Sequence, residues 1–167
     1  MELKFTLNGE KRQIDIEPRK LLIDVLRDDF GLTSVHSGCD TAMCGACTVL
    51  VDGKPVKSCN LLAMQVQDSE VQTLEGLFNE HRMKILKKSF LKNHGLQCGF
   101  CTSGMLISSF YLLKKGRESD DDEIREAIEG NICRCTGYVS IVKSIREAAD
   151  ILNKTSLEEL EMKGEER

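Results

Sequence analysis

The sequence contains no tryptophan, and aromatic residues make up only 5% of its 167 positions. Its core must therefore be built from Leu, Ile, Val and Met. A net charge of -4, with no basic stripe and no interleaving of aromatic and basic residues, gives no support to nucleic-acid binding. No apolar run approaches the length of a membrane span. The opening residues Met1–Thr6 lack the basic and apolar regions of a signal peptide, so a soluble, cytoplasmic protein is expected. No glycine-rich phosphate loop is visible, and no Ser/His/Asp or Cys/His arrangement has the surroundings of a nucleophile. No catalytic residue is expected on this chain.

What the sequence does hold is eight cysteines. In a reducing compartment these are better read as metal ligands than as disulfides. Cys39, Cys44 and Cys47 stand as C-x4-C-x2-C, with Cys59 after eleven intervening residues. That is the spacing of the plant-type ferredoxin loop, which holds a [2Fe-2S] cluster in four thiolates. Gly38, Gly45 and Ala46 keep such a loop small and tightly wound.

Around this loop the pattern is that of a mixed sheet. Leu3, Phe5 and Leu7 alternate with polar residues over 2–7, Asn8-Gly9 is a hairpin turn, and the return strand covers Gln13 to Glu17. Pro18 opens a helix whose apolar face is Leu21, Leu22, Val25 and Leu26, stopped by Gly31. Thr48–Val51, the turn Asp52-Gly53 and Val56–Cys59 form a second hairpin, and Val71–Thr73 a last strand. Residues 1–75 read as a β-grasp, ferredoxin-like domain.

Beyond residue 76 the period becomes helical. Met83, Leu86 and Phe90 form one face, and Met105, Leu106, Phe110 and Leu113 a second. Asp120–Glu123 is an acidic start for a third helix, with Glu118 in the same acidic run. Ile141, Val142, Ile145, Ala148, Ala149 and Leu152 make a fourth. An α+β chain follows, with a four-helix bundle over 76–152 and a charged, solvated or disordered tail over 153–167. Two small modules each have a thin core, which a metal site can staple.

The helical half carries Cys98-Gly99-Phe100-Cys101 and Cys133-Arg134-Cys135. Each group precedes a predicted helix, so backbone N–H groups at helix starts can favour a negative cluster there. Gly99, Gly130 and Gly137 permit close backbone approach. Arg134 either offsets cluster charge or makes an ordinary surface ion pair. The single-residue gap of C-x-C departs from the two-to-four-residue spacing usual for zinc.

Both cysteine loops, together with Gln97-Cys98-Gly99-Phe100-Cys101-Thr102 and Gly130-Asn131-Ile132-Cys133-Arg134-Cys135-Thr136-Gly137-Tyr138, resemble the [2Fe-2S] small subunit of the molybdenum hydroxylases. That family includes aldehyde oxidoreductases, carbon monoxide dehydrogenases and xanthine dehydrogenases, and the likeness runs over residues 2–152. The resemblance implies that Cys39, Cys44, Cys47 and Cys59 hold a first [2Fe-2S] cluster, nearer solvent and the flavin. It implies that Cys98, Cys101, Cys133 and Cys135 hold a second, buried in the bundle beside the pterin. Gln97 would lie against the pterin and Cys135 would link it to that cluster. The cofactors implied are two [2Fe-2S] clusters here, with a molybdopterin-type molybdenum cofactor on a large partner subunit and FAD on a medium one. The chain would relay electrons within a hetero-oligomer, such as a dimer of heterotrimers, and the complex would oxidise an aldehyde. Carbon monoxide, xanthine and N-heterocycle dehydrogenases are the alternatives. Three positions depart from the family pattern: Ser103 where proline is common, Met43 before the second cysteine, and Ser140.

Other readings of the same residues stay open at this point. The chain can be a stand-alone two-cluster carrier or a zinc-stabilised interaction module. C-x-x-C can be a thioredoxin-like pair, although no βαβ setting accompanies it. His36, His81 and His94 offer Rieske-type ligation in principle.

Overall fold

A computed structural model describes residues 1–116 and 120–165; Glu118 and Ser119, the start of the acidic run, lie outside the described residues. Strand β1 (Glu2–Leu7) pairs antiparallel with β2 (Glu10–Asp15) through the Asn8-Gly9 turn. β3 (Thr48–Val51) and β4 (Lys54–Lys57) form the second hairpin. β5 (Glu70–Gln72) lies between the hairpins, parallel to β1 and antiparallel to β3, giving the order β2-β1-β5-β3-β4. The strand positions follow the alternation in the sequence, with the return strands ending earlier than expected. Cys59 falls not in β4 but in a 3-10 turn, Ser58–Asn60, that follows it.

The helix expected from Pro18 starts later. Leu21 is held in a bridge to Leu62, and the amide of Leu22 donates to Leu61 O at 2.8 Å. The chain becomes helical only over α1 (Leu22–Asp24) and then widens into a π turn, Val25–Asp29. Leu22, Ile23, Val25 and Leu26 are all buried in the first core, with Leu3, Phe5, Val49 and Val71.

After the one-turn α2 (Leu74–Leu77), four helices follow: α3 (His81–Lys92), α4 (Thr102–Lys114), α5 (Asp121–Ile128) and α6 (Val139–Glu165). α3 touches α4, α4 touches α5, α5 touches α6, and α6 returns to α3, which closes a four-helix ring. Met83, Phe90, Met105, Ile107, Ile124, Ile141 and Ile145 fill it. Asp120 caps α5 by accepting from the amides of Asp122 and Glu123 at 2.9 and 2.8 Å. The charged tail is not irregular: α6 continues past Leu152 to Glu165. Its residues there are largely good helix formers such as Leu, Glu and Lys, and the packed stretch before them supplies the costly nucleus.

The two domains share their packing through β3. Val49 points into the first core, while Leu50, one residue on, belongs to the helical core. This is the alternation of a strand with both faces covered. Helix α4 lies on its far face and is buried from Ser103 to Phe110.

Asn8 also serves the join between domains. With φ at 52° it makes the hairpin turn, and its side chain accepts from the Thr73 amide at 2.8 Å and donates to the Thr73 hydroxyl at 3.1 Å. Thr73 is fully buried. Replacing Asn8 by Ala strands its amide, and equilibrium urea unfolding should show a loss of about 1–3 kcal/mol.

Candidate metal centre

The first cysteine loop is wound so that amides face a sulfur. The amides of Thr41 and Cys44 donate to Cys39 Sγ at 3.5 and 3.3 Å. Hydrogen bonds from the Thr41 side chain and from these two amides draw the Cys39 thiol down to about 6. Burial pushes Cys44 up, and burial followed by the neighbouring Cys47 pushes Cys59 up to about 11. The Ser58 amide and hydroxyl both donate to Cys47 O, at 3.3 and 2.8 Å, which fixes Cys47 against the turn that carries Cys59.

In the second set, Cys101 caps α4 and burial pushes its thiol up to about 12. Cys133 is lowered despite its burial, by the Thr136 hydroxyl at 3.2 Å and by the amides of Thr136 and Cys135. Cys98 is lowered by the Phe100 amide. The donors on these sulfurs thus belong to the loops that precede α4 and α6, where helix-start amides were expected. Tyr138 braces the second loop from within. Its hydroxyl accepts from the Cys133 amide at 2.8 Å and donates to Asn131 O at 3.1 Å.

The eight sulfurs come together as two sets of four. Cys39 interacts with Cys44 and Cys47 with Cys59, Cys101 with Cys133, and Cys98 with Cys135 at 3.5 Å. All eight are free thiols. Among the described residues no group of three or more His, Cys, Asp or Glu side chains stands close enough for one metal ion. A dinuclear cluster asks each iron for two sulfurs, and each set supplies four. The residues present fit [2Fe-2S] clusters.

The remaining expected positions fall as follows. Gln97 lies beside Cys135, its side-chain amide donating to Cys135 O at 3.1 Å, and both are exposed. The second set is the more open of the two, against the expectation of burial within the bundle. Cys98 and Cys135 sit on loops at its end, whereas Cys47 and Cys59 are covered by the sheet. Arg134 is exposed and makes no ion pair among the described residues. His81 opens α3 and His94 follows its end. His36 does reach the cysteine loops: its ring stacks on Phe100 at 4.7 Å and Nδ1 donates to Phe100 O at 2.9 Å. The Ser103 hydroxyl turns toward His36 Nδ1 at 3.4 Å.

The two loops are in direct contact. Cys44 O accepts from the Ile132 amide at 2.8 Å, one residue before Cys133. Gly45 O accepts from the buried Asn131 side chain at 3.1 Å, and Ser108 on α4 donates to Asn131 Oδ1 at 2.7 Å. Nothing in the spacing of cysteines marks Asn131 for this role; only its invariable need for partners when buried hints at it. Gly45 holds φ at +75°, and a methyl group there would meet Gly130 O at 2.2 Å.

These features define a two-site iron–sulfur protein, a β-grasp domain docked on a helical one. A family described as "2Fe-2S iron-sulfur cluster binding domain" matches residues 5–76, and one described as "[2Fe-2S] binding domain" matches residues 73–146. The chain is 46% identical to the nicotinate dehydrogenase small FeS subunit of Eubacterium barkeri, over 89% of this chain and 94% of that one. It is 38% identical to the aldehyde oxidoreductase iron-sulfur-binding subunit of Escherichia coli (strain K12), over 89% and 72%. The crystal structure of quinoline 2-oxidoreductase from Pseudomonas putida 86 superposes with a TM-score of 0.84 at 42% identity, covering 90% of this chain and 94% of that one. The chain belongs to the [2Fe-2S] small subunits of the molybdenum hydroxylases. It is a subunit of an oxidoreductase complex.

The close seat predicts its own sensitivity. A methyl group on Gly104 of α4 would stand 2.0 Å from Gly45 O, whereas on Gly130 it would meet only the Lys57 side chain, at 3.3 Å. Gly104→Ala should therefore cost about 1–3 kcal/mol in thermal unfolding, and Gly130→Ala clearly less.

Proposed function

We propose that this chain relays electrons from a molybdenum centre on a large subunit, through two [2Fe-2S] clusters, to FAD on a medium subunit. Cys39, Cys44, Cys47 and Cys59 hold the first cluster; Cys98, Cys101, Cys133 and Cys135 hold the second. When bound, the clusters supply one-electron redox chemistry at sulfur-ligated iron. The chain contributes the distance between them. The observation that carries the reading is the hydrogen bond from the Ile132 amide to Cys44 O, which joins a ligand loop of one site to a ligand loop of the other.

Membership of a complex, as against a freely diffusing carrier, is supported by the surface around the second set. Cys98 and Cys135 are exposed there, and Phe100 and Ile132 on the same loops and Val139 at the start of α6 are large exposed apolar residues, at 45%, 53% and 79% exposure. Such side chains beside open ligands suit burial against a partner. Gln97, bonded to Cys135 O, is placed to meet a pterin on that partner. No helix among the described residues is long and apolar enough to cross a membrane, so the reading asks for no membrane span.

An N-heteroaromatic compound is the substrate class we favour for the whole complex, ahead of the aldehyde expected from sequence. Its support is that the nicotinate and quinoline enzymes are 46% and 42% identical, against 38% for the aldehyde oxidoreductase subunit. The substrate itself is selected by the large subunit.

Tagging the chain in its host and purifying it anaerobically tests the assignment. Molybdenum-containing and FAD-containing chains should come with it, with about two iron atoms per cluster. Cys47→Ser should remove or distort one EPR signal, and Cys133→Ser the other. Loss of both signals from a folded protein by either change would sink the two-site assignment.

A further inference from the structure

Lys57 closes β4, two residues before Cys59, and its side chain is half-buried between the domains. Its ammonium donates to Thr48 Oγ1 at 3.0 Å and to Gly130 O at 2.8 Å. Thr48 passes the contact on, its hydroxyl donating to Gly45 O at 2.6 Å. Both acceptors of Lys57 are neutral, and it makes no ion pair among the described residues.

A half-buried cation without a carboxylate is costly unless another anion faces it. The anion available to it is the first cysteine set: Lys57 stands two residues from Cys59, and its ammonium binds the hydroxyl of Thr48, the residue after Cys47, which in turn binds Gly45 O inside the Cys44–Cys47 loop. Asp and Glu side chains are plentiful in the sequence, yet none is paired with it.

We propose that Lys57 is the charge-compensating residue of the first cluster and holds its reduction potential above the value four thiolates alone would set. This rests on the assignment of Cys39, Cys44, Cys47 and Cys59 as ligands of a [2Fe-2S] cluster. One-electron reduction makes the site one charge more negative, the electron coming from the second site and no bond being broken. A nearby fixed cation stabilises the reduced form more than the oxidised one. The effect falls on the first site more than on the second, because the ammonium stands against the first loop and meets the second only at a backbone carbonyl. The cation thus biases electrons toward the ferredoxin-like domain.

The test is an EPR-monitored redox titration of the intact complex carrying Lys57→Met, Lys57→Gln or Lys57→Arg. At a fixed potential, Lys57→Met and Lys57→Gln should lower the reduced-to-oxidised ratio of the first cluster at least tenfold, equivalent to about 59 mV for a one-electron couple. The second cluster should move much less, and Lys57→Arg should stay close to the parent. An unmoved first potential in Lys57→Gln overturns the proposal. So does an equal displacement in Lys57→Arg, or an equal shift of both clusters, which would assign Lys57 to domain docking. Should Lys57→Met fail to keep its first cluster, the contrast between Gln, which keeps amide donors, and Arg, which keeps the charge, decides the matter. A parent protein without iron or without two EPR signals would instead remove the ligand assignment beneath it.

Discussion

The carbonyl oxygen of Gly45 accepts hydrogen bonds from the Thr48 hydroxyl at 2.6 Å and from the Asn131 side chain at 3.1 Å, so one backbone atom is held by both domains. It can be reached because Gly104 opposite has no side chain, and because Gly45 itself turns with a positive φ. A buried carbonyl with donors on two sides ties the position of one loop to that of the other. Cys44 and Ile132 are joined next to it, and Lys57 bridges Thr48 and Gly130 at its edge. The geometry of both cysteine sites follows from this seat.

Such rigidity suits a site that must hold sulfur without being held by the metal alone. Ser58 fixes Cys47, Tyr138 fixes the Cys133 amide, and Thr136 reaches the Cys133 sulfur. Each donor is local to its loop, so the loops carry their own preorganisation. The thiols nevertheless sit in unequal surroundings. Cys39 is drawn down to about 6, while Cys59 and Cys101 are pushed up to about 11 and 12. Metal binding needs thiolates and releases their protons.

The local patterns of the chain were legible wherever one contact range decided them. Alternation placed β1, β3 and their turns, and the four apolar faces placed the helices of the bundle. The cysteine spacing picked out both candidate sites, and the structure adds a hydrogen bond from the Gln97 side chain to Cys135 O. What was not legible depends on residues far apart in sequence. The bridge from Leu21 to Leu62 delays α1, and no local signal predicts it. Asn131 and Lys57 read as ordinary polar residues until their partners Gly45 and Gly130 arrive, 86 and 73 positions away in the chain. Ser103, marked in the sequence only as a departure from a common proline, has its side chain against His36, 67 positions away.

The unequal exposure of the two sites is what a relay requires of its own chain. On the proposed path the second site would meet a cofactor on another subunit, and Cys98 and Cys135 are exposed beside exposed apolar side chains. In the first set Cys47 and Cys59 are buried in the first core, while Cys39 and Cys44 are partly exposed, next to the exposed Met43. Cys44 is also the residue whose carbonyl meets the second loop, at the Ile132 amide. On the relay reading, electrons enter at the open loops of the bundle and leave by the outer cysteines of the ferredoxin-like domain. The interior between them is tied by the hydrogen bonds of Ile132 to Cys44 and of Asn131 to Gly45.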